Sequence, residues 1–208
     1  KPLSGTVVEN VTEHGTGAIN IDGCRVPTDE LSGPPKSNAR LSHDGWGMKG
    51  GGTGGEATSP LGRWPANLIH DGSDEVLAAF PDGLTNGDSG SAARYFYTAK
   101  ADAEDRIGSK HPTVKPLDLM QYLVRLVTPP GGTVLDPFAG GSVRGIVASR
   151  LGRGYVGIEL RSEQVAANRA QLDLAGDPRP QWRQGDAREI ARLAADVTAD
   201  LVFSCPPY

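Results

Sequence analysis

The stretch Val134-Leu-Asp-Pro-Phe-Ala-Gly-Gly-Ser142 joins a short apolar run to a glycine turn and then to the start of a helix. The prolines and glycines of 129–132 end whatever helix precedes it and release the apolar run into an extended segment. Small residues at 139–141 let the backbone approach a ligand closely. The stretch therefore predicts a parallel strand, a ligand-binding loop and an amphipathic helix over 142–152 that Ser142 caps.

Three more extended runs follow, and each ends in polar or unusual residues. Tyr155-Val-Gly-Ile-Glu159 ends in an acid, Asp186 follows a run around Trp182, and Asp200-Leu-Val-Phe-Ser204 leads into Cys205-Pro-Pro-Tyr208. A helix capped by Ser162 and extending to Leu174 is predicted between the first two runs. Open α/β sheets bind ligands at the carboxyl ends of their strands, and an acid after the second strand typically accepts hydrogen bonds from ribose hydroxyls. These patterns predict a nucleotide-like ligand at one edge of a parallel sheet.

In this order, the motifs resemble those of S-adenosylmethionine-dependent DNA amino-methyltransferases, which methylate adenine N6 or cytosine N4. The resemblance covers 111–208 well and implies an α/β, Rossmann-like methyltransferase sheet that is incomplete at its C-terminus. It implies S-adenosyl-L-methionine as the cofactor and double-stranded DNA as the partner, with N6-adenine favoured over N4-cytosine. The implied cofactor-binding residues are Thr113, Lys115, Pro116, Asp136, Pro137, Phe138, Ala139, Gly140, Gly141, Ser142, Glu159, Leu160 and Asp186. The implied catalytic residues are Ser204, Cys205, Pro206, Pro207 and Tyr208.

The resemblance assigns a role to each of these motifs. Glu159 would bind the ribose and Asp186 the adenine amino group of the cofactor. The carbonyl of Pro206 and the side chain before it would accept hydrogen bonds from the target amino group, whose lone pair is otherwise delocalised into the base. Tyr208 would stack on the target base after it leaves the duplex.

Two features depart from the family's pattern. Cys205 stands where Asp, Asn or Ser is usual before Pro-Pro-Tyr, and a thiol is a weaker acceptor than those groups. The part upstream of 111 resembles a subclass in which the catalytic motif precedes the cofactor loop, whereas here the motif follows it. Both ends of the chain look cut, so a fragment, a fusion or a rearranged phage-type enzyme is expected.

Other interpretations remain open. The same sheet and turn serve RNA amino-methyltransferases, and a non-catalytic module that binds DNA or a protein partner would tolerate Cys205. Asp136 is also typical of a cap for the helix that follows, Glu159 of a solvated charge at a helix start, and Asp186 of a turn residue or cap. A covalent cytosine-C5 mechanism is disfavoured because it uses a Pro-Cys order. A dinucleotide oxidoreductase is disfavoured because the loop lacks Gly-x-Gly-x-x-Gly.

Charge, cysteine count and hydropathy limit the other classes of protein to which the chain could belong. The chain has 208 residues and a formal net charge of −4, so DNA binding would need its Lys and Arg residues clustered along one cleft. Its two cysteines, Cys24 and Cys205, are far apart, which implies neither a disulfide framework nor a CxxC metal site. No apolar run approaches the ~20 residues of a membrane span. We expect a cytoplasmic protein of a bacterial or phage-infected cell.

The N-terminal half differs in amino-acid composition from the rest of the chain. Residues 32–61 are rich in Gly, Ser, Pro and Asn and predict a flexible loop. We expect 1–105 to form an irregular lobe with a possible target-recognition role, and 106–208 to form the cofactor-binding and catalytic domain. Short ordered segments are predicted at 18–21, 64–69, 74–80 (a helix) and 95–97. Candidate DNA contacts are Trp46, Arg63, Trp64 and Arg94.

Overall fold

The computed structural model describes residues 5–25, 64, 68–81, 93, 96–99, 105 and 115–206. The predicted loop at 32–61 lies outside these residues, as do Thr113, Pro207, Tyr208, Trp46, Arg63 and Arg94. The helices are α1 (Val7–His14), α2 (Asp74–Ala79), α3 (Leu117–Val127), α4 (Val143–Arg150), α5 (Ser162–Arg169) and α6 (Ile190–Leu193). The strands are β1 (Ile69–His70), β2 (Tyr97–Thr98), β3 (Thr133–Asp136), β4 (Gly154–Glu159), β5 (Gln181–Gln184) and β6 (Leu201–Val202).

The larger sheet has four parallel strands in the order β5-β4-β3-β6. Strand β3 pairs with β4 on one side, with Leu135 opposite Val156, and with β6 on the other side, with Leu135 opposite Val202. The chain thus runs outward from β3 through β4 to β5 and then returns to the opposite side of β3. This reversal of strand order is the Rossmann-like arrangement, and it opens a crevice at the carboxyl ends of β3 and β6. The predicted α/β fold is confirmed.

Helix α4 covers the sheet between β3 and β4. Gly145 lies against the rings of Tyr155 and Trp182, because a Cβ at this position would come within 2.7 Å of Trp182 Cζ2 and 2.9 Å of Tyr155 Cδ1. Both rings are buried, and their centroids are 6.0 Å apart. The close approach of α4 to the sheet therefore depends on the missing side chain of Gly145.

Helix α3 packs against α4, and its buried Val124 belongs to the same apolar cluster as Val134 of β3 and Ala148 of α4. Met120, Val143 and Val147 form a buried cluster between the two helices, and Phe203, which follows β6, packs on its edge. Helix α3 ends at Val127, shortly before the prolines and glycines of 129–132 that were predicted to end the preceding helix. Its packing supports α4, the helix that follows the glycine loop.

Several local predictions were wrong. Ser142 occupies the N-cap position of α4, but its backbone is helical and its hydroxyl makes no cap; it is buried and donates to Oε1 of Gln171. Ser162 is the first residue of α5 rather than its cap. The helix predicted to reach Leu174 ends at Arg169, and a separate 3-10 turn follows over Leu172–Leu174.

A smaller set of elements comes from the N-terminal half. Strands β1 and β2 form a parallel pair. Helix α2 confirms the helix predicted over 74–80 within one residue. The segment 18–21 contains no strand and leads into a 3-10 turn at Asp22–Cys24 that packs beside α3. Helix α1 was not predicted. In the described ranges no helix is long and apolar enough to cross a bilayer.

Candidate functional site

Residues of β4 and α5 fix the loop after β3 through hydrogen bonds to the amide and the carbonyl of Gly140. The amide of Gly140 donates to Oε2 of Glu159 over 3.0 Å, and its carbonyl accepts from Nδ2 of Asn168 over 2.8 Å. Asn168 is buried and is held by Nε2 of Gln164 at 2.8 Å. Gly140 itself has φ of 54°, a left-handed conformation that favours glycine. Hydrogen bonds within the chain thus define the shape of the loop.

Glu159 ends β4 and has a side chain that is 11% exposed. Besides Gly140, it accepts from the amide of Arg161 at 3.0 Å and from its Nε at 3.4 Å. A carboxylate offers about four acceptor positions, so the hydrogen bonds from described residues leave one for a donor from a ligand. Arg161 is exposed, and its guanidinium can leave without disturbing the core. Glu159 fits a hydroxyl-bearing ligand while it also shapes the glycine loop.

Asp136 ends β3 and has no exposed surface. Its Oδ1 accepts from the amide of Phe138 at 3.1 Å, and its Oδ2 accepts from the phenol of Tyr155 at 3.0 Å and pairs with Nε of Arg144 at 2.8 Å. Burial raises the pKa of Asp136, although Arg144 opposes this effect. The alternative that Asp136 caps α4 is not observed, because Ser142 occupies that position. Asp136 therefore organises the loop from below.

Tyr155 remains a hydrogen-bond donor in this network. Burial raises its pKa well above the ordinary value, and the neighbouring Asp136 carboxylate adds to the effect. A protonated phenol at the base of the loop satisfies one acceptor of Asp136.

Asp186 follows β5 and caps the 3-10 turn Ala187–Glu189 by accepting from the amide of Arg188 at 2.9 Å. Its other oxygen accepts from Nε and Nη2 of Arg188, and these hydrogen bonds lower the pKa of Asp186. Its side chain is 29% exposed and that of Arg188 is 89% exposed. The capping interpretation of Asp186 is thus observed, and the same carboxylate still faces solvent near the strand end.

The remaining predicted cofactor residues surround this loop. Phe138 is 39% exposed and Leu160 is 65% exposed, so both present apolar surface at the strand ends, whereas Ala139 is buried. Pro137 and Gly141 are half-buried in the loop. Lys115 and Pro116 lie directly before α3, and Pro116 is its N-cap residue.

The predicted catalytic segment leaves the sheet beside this loop. The amide of Phe203 donates to the carbonyl of Leu135 at 2.9 Å, which carries the pairing of β6 with β3 one residue beyond the strand. The hydroxyl of Ser204 is buried and has no hydrogen-bond partner among the described residues. Cys205 and Pro206 are exposed. The segment and the glycine loop thus lie at the carboxyl ends of neighbouring strands.

Arg144 was missed as a site residue by the sequence interpretation. Its Nη2 donates to the carbonyls of Phe138 at 2.8 Å and Ala139 at 2.9 Å, and its guanidinium carbon lies 5.8 Å from the ring centroid of Phe203. The only available signal was a cation in the first turn of the helix after the glycine loop. Asn168 was missed as well, because nothing local marks a helical Asn as a partner of a loop 28 residues earlier in the chain.

The family model for N6/N4 DNA methylases matches residues 27–170, more than half of the chain. The chain belongs to this DNA methylase family. In this chain, the matched region contains the strand, glycine loop and acid described above.

Individual relatives match over shorter stretches. The chain is 36% identical over 91 residues to the DNA adenine methyltransferase YhdJ of Escherichia coli (strain K12), covering 44% of this chain and 29% of that protein. It is 38% identical over 73 residues to the type II methyltransferase M2.DpnII of Streptococcus pneumoniae, covering 35% of this chain and 27% of that protein. The chain therefore spans less than a third of the length of these curated relatives. The solved M1.HpyAVI–SAM complex matches with a TM-score of 0.33 and 28% identity, covering 45% of this chain and 43% of that one.

The donor and acceptor set of the site fits S-adenosylmethionine. Glu159 and Asp186 present carboxylate oxygens for hydroxyl and amino donors, and two acids near the loop favour a cationic sulfonium. Phe138 and Leu160 supply exposed apolar surface for a flat ring. Small residues at 139–141 leave room for close approach to the backbone. The residues present are thus compatible with the cofactor that the family implies.

Proposed function

We propose that this chain forms the cofactor-binding and base-binding part of an enzyme that methylates an exocyclic amino nitrogen in DNA. The observation that carries the proposal is the placement of two motifs at one crevice. The glycine loop follows β3, the Ser204–Pro206 segment follows β6, and the two strands pair directly. A crevice at such a reversal of strand order is where α/β sheets bind nucleotides.

Within the proposal, Glu159 and Asp186 hold the cofactor, and Asp136 acts indirectly by fixing the loop. When bound, S-adenosylmethionine supplies an electrophilic methyl group on a sulfonium. Pro206 offers a backbone carbonyl at the exposed end of the segment, which can accept a hydrogen bond from the target amino group. Drawing those hydrogens to fixed acceptors orients the nitrogen lone pair toward the electrophile.

Ser204 is a second candidate for a hydrogen-bonding group near the target amino group. Its buried hydroxyl lacks a partner among the described residues, and buried polar groups in folded proteins rarely stay unpaired. Cys205 is exposed next to it and is the weaker acceptor. We propose that Ser204 supplies hydrogen-bonding capacity at the strand end that Cys205 does not.

Adenine N6 is the proposed target. YhdJ is named as a DNA adenine methyltransferase, and the family includes both N6 and N4 enzymes. The chemistry of the site alone does not separate the two amino groups, since both are attached to aromatic rings next to a ring nitrogen. The proposal for adenine therefore rests on the relative.

The test is methyl transfer from isotopically labelled S-adenosylmethionine to unmethylated duplex DNA of mixed sequence, followed by digestion and mass spectrometry of the nucleosides. Labelled N6-methyladenine is the expected product. Labelled N4-methylcytosine would overturn the choice of base but not the reaction. Structured RNA serves as a competing substrate, and label in RNA rather than DNA would overturn the proposed polymer.

A second candidate is a non-catalytic module that keeps the fold, and the observation favouring it is Cys205. Its signature would be binding of S-adenosylhomocysteine or DNA with no methyl transfer to any nucleic acid. Cys205→Ser restores a family-typical residue at this position. Activity that appears only in this variant would favour the non-catalytic candidate for the natural chain.

A further inference from the structure

Arg144 contacts both halves of the proposed site. From the first turn of α4 it pairs with buried Asp136 at 2.8 Å and donates to the carbonyls of Phe138 and Ala139. Its guanidinium also lies 5.8 Å from the ring centroid of Phe203, on the segment that leads to Cys205. No other cation in the described ranges is seen to contact both the glycine loop and this segment.

The geometry requires a guanidinium. Two hydrogen bonds leave from Nη2, Nε forms an ion pair with Asp136, and the guanidinium carbon lies over the ring of Phe203. A lysine ammonium is a compact charge that can replace the ion pair but cannot also serve two carbonyls and an aromatic face at once. The side chain of Arg144 is only 10% exposed, so water is a poor substitute for these contacts.

We propose that Arg144 is a positioning residue that transmits cofactor binding at the glycine loop to the base-binding segment. The inference rests on the proposed function and adds a coupling between its two half-sites. Any movement of the Phe138 and Ala139 carbonyls on ligand binding moves the guanidinium, and the guanidinium carries Phe203 with it. Because Phe203 is hydrogen-bonded to Leu135 through its amide, a shift of its ring changes the protection of the residues after β6.

Hydrogen–deuterium exchange with and without saturating S-adenosylhomocysteine tests the coupling. In the natural chain we expect the ligand to slow exchange at Phe203, Ser204 and Cys205 by about fivefold or more, the lower range for coupled sites. In Arg144→Lys, the ligand should still protect 137–141 but should no longer protect 203–205. A purely structural role would instead raise exchange in both segments, with or without ligand.

Phe203→Leu tests the same contact from the other side and keeps apolar packing against Val147 and its neighbours. It should lose the ligand-dependent protection of Ser204 and Cys205 as Arg144→Lys does, and the double variant should lose no more. Arg150→Lys is the matched control, because Arg150 lies on the same helix and donates to a backbone carbonyl, that of Leu174, away from the site.

The outcomes separate the two proposals. If S-adenosylhomocysteine binds the natural chain and 203–205 respond equally in Arg144→Lys, the coupling is overturned and the proposed function stands. If the folded natural chain does not bind the ligand or protect 137–141, the proposed function fails and the coupling fails with it.

Discussion

The phenol of Tyr155 donates a hydrogen bond to Oδ2 of Asp136 over 3.0 Å, between two side chains that are 2% and 0% exposed. The bond crosses from β4 to β3 directly beneath the glycine loop. It makes the shape of the loop depend on the core rather than on solvent-exposed contacts.

Tyr155→Phe should destabilise the fold by about 1–3 kcal/mol, because it leaves an acceptor of buried Asp136 with fewer donors. Urea unfolding of the two proteins measures the difference. In an Asp136→Asn background the same substitution should cost clearly less, since the two residues form one network. Equal costs in both backgrounds would show that the hydrogen bond contributes nothing specific.

The stability of the chain should carry a pH signature from Asp136. Burial raises the pKa of Asp136 from its ordinary value of 3.8, so the folded protein holds this proton more tightly than the unfolded chain does. The contribution of Asp136 to the free energy of unfolding is therefore present at low pH. It falls as pH rises from 3.8 through the raised folded value.

The stability difference between the natural chain and Asp136→Asn isolates this contribution from the other carboxylates. We expect that difference to decline with rising pH across the acidic range and to become flat toward neutral pH, as measured by denaturant titrations. A difference that grows with pH would mean that the ion pair with Arg144 outweighs burial and that the pKa of Asp136 is lowered.

Gly145→Ala should destabilise the protein by about 1–3 kcal/mol, although alanine is the better helix former. The added methyl group would sit 2.7 Å from Trp182 Cζ2, within a packed core. Thermal or urea unfolding checks the effect. In a Trp182→Phe background, which removes that ring atom, the penalty should shrink. The indole nitrogen has no partner among the described residues, so the background change breaks no hydrogen bond described there.

Glu159→Gln should weaken S-adenosylhomocysteine binding by ~10- to 100-fold, because charge-assisted hydrogen bonds contribute about 1.5–3 kcal/mol and the Gly140 amide loses its anionic acceptor. Isothermal titration calorimetry provides the affinity. Glu163→Gln is the matched control: Glu163 is exposed in the first turn of α5 and should leave binding unchanged. Equal affinities for both variants would remove Glu159 from the site.

The role of Asp186 can be tested by comparing the affinities of two ligands that differ in one amino group. If its carboxylate accepts from the adenine amino group, the natural chain should prefer S-adenosylhomocysteine to S-inosylhomocysteine, which lacks that amino group. Asp186→Ala should lose most of this preference, whereas Asp173→Ala, at an exposed acid in the Leu172–Leu174 turn, should retain it. A preference that survives in Asp186→Ala would restrict Asp186 to capping its 3-10 turn.

The parts of the fold that the sequence predicted well are those where local pattern and burial agree. Strands β3 and β4 are short apolar runs that each follow a glycine turn, and both were placed within one residue. Helix α1 was missed because Val7–His14 has few apolar residues, yet Thr6 and Glu9 form a capping box that its Thr-x-x-Glu pattern marks. The predicted Ser142 cap was wrong because its hydroxyl, buried against Gln171, finds a tertiary partner that no local pattern reveals.

In the candidate site, too, the sequence predicted some features and not others. The acids at 136, 159 and 186 were identifiable because strand ends are fixed by the topology. Their individual partners were not, since the pairing of Asp136 with Tyr155 and Arg144 depends on how α4 sits on the sheet. Sequence spacing therefore indicates where a polar group lies but not whether it faces a ligand or the core.

The anchoring of Gly140 from both sides has a consequence for the entropy of binding. A glycine-rich loop that is ordered only by its ligand loses backbone freedom at the moment of association, at about 1–2 kcal/mol for each residue fixed. Here Glu159 and Asn168 remove that freedom during folding. The free energy of ligand binding therefore does not include the cost of ordering this loop. Variants that release Gly140 should bind the ligand with a less favourable binding entropy, although the ligand contacts stay nearly unchanged.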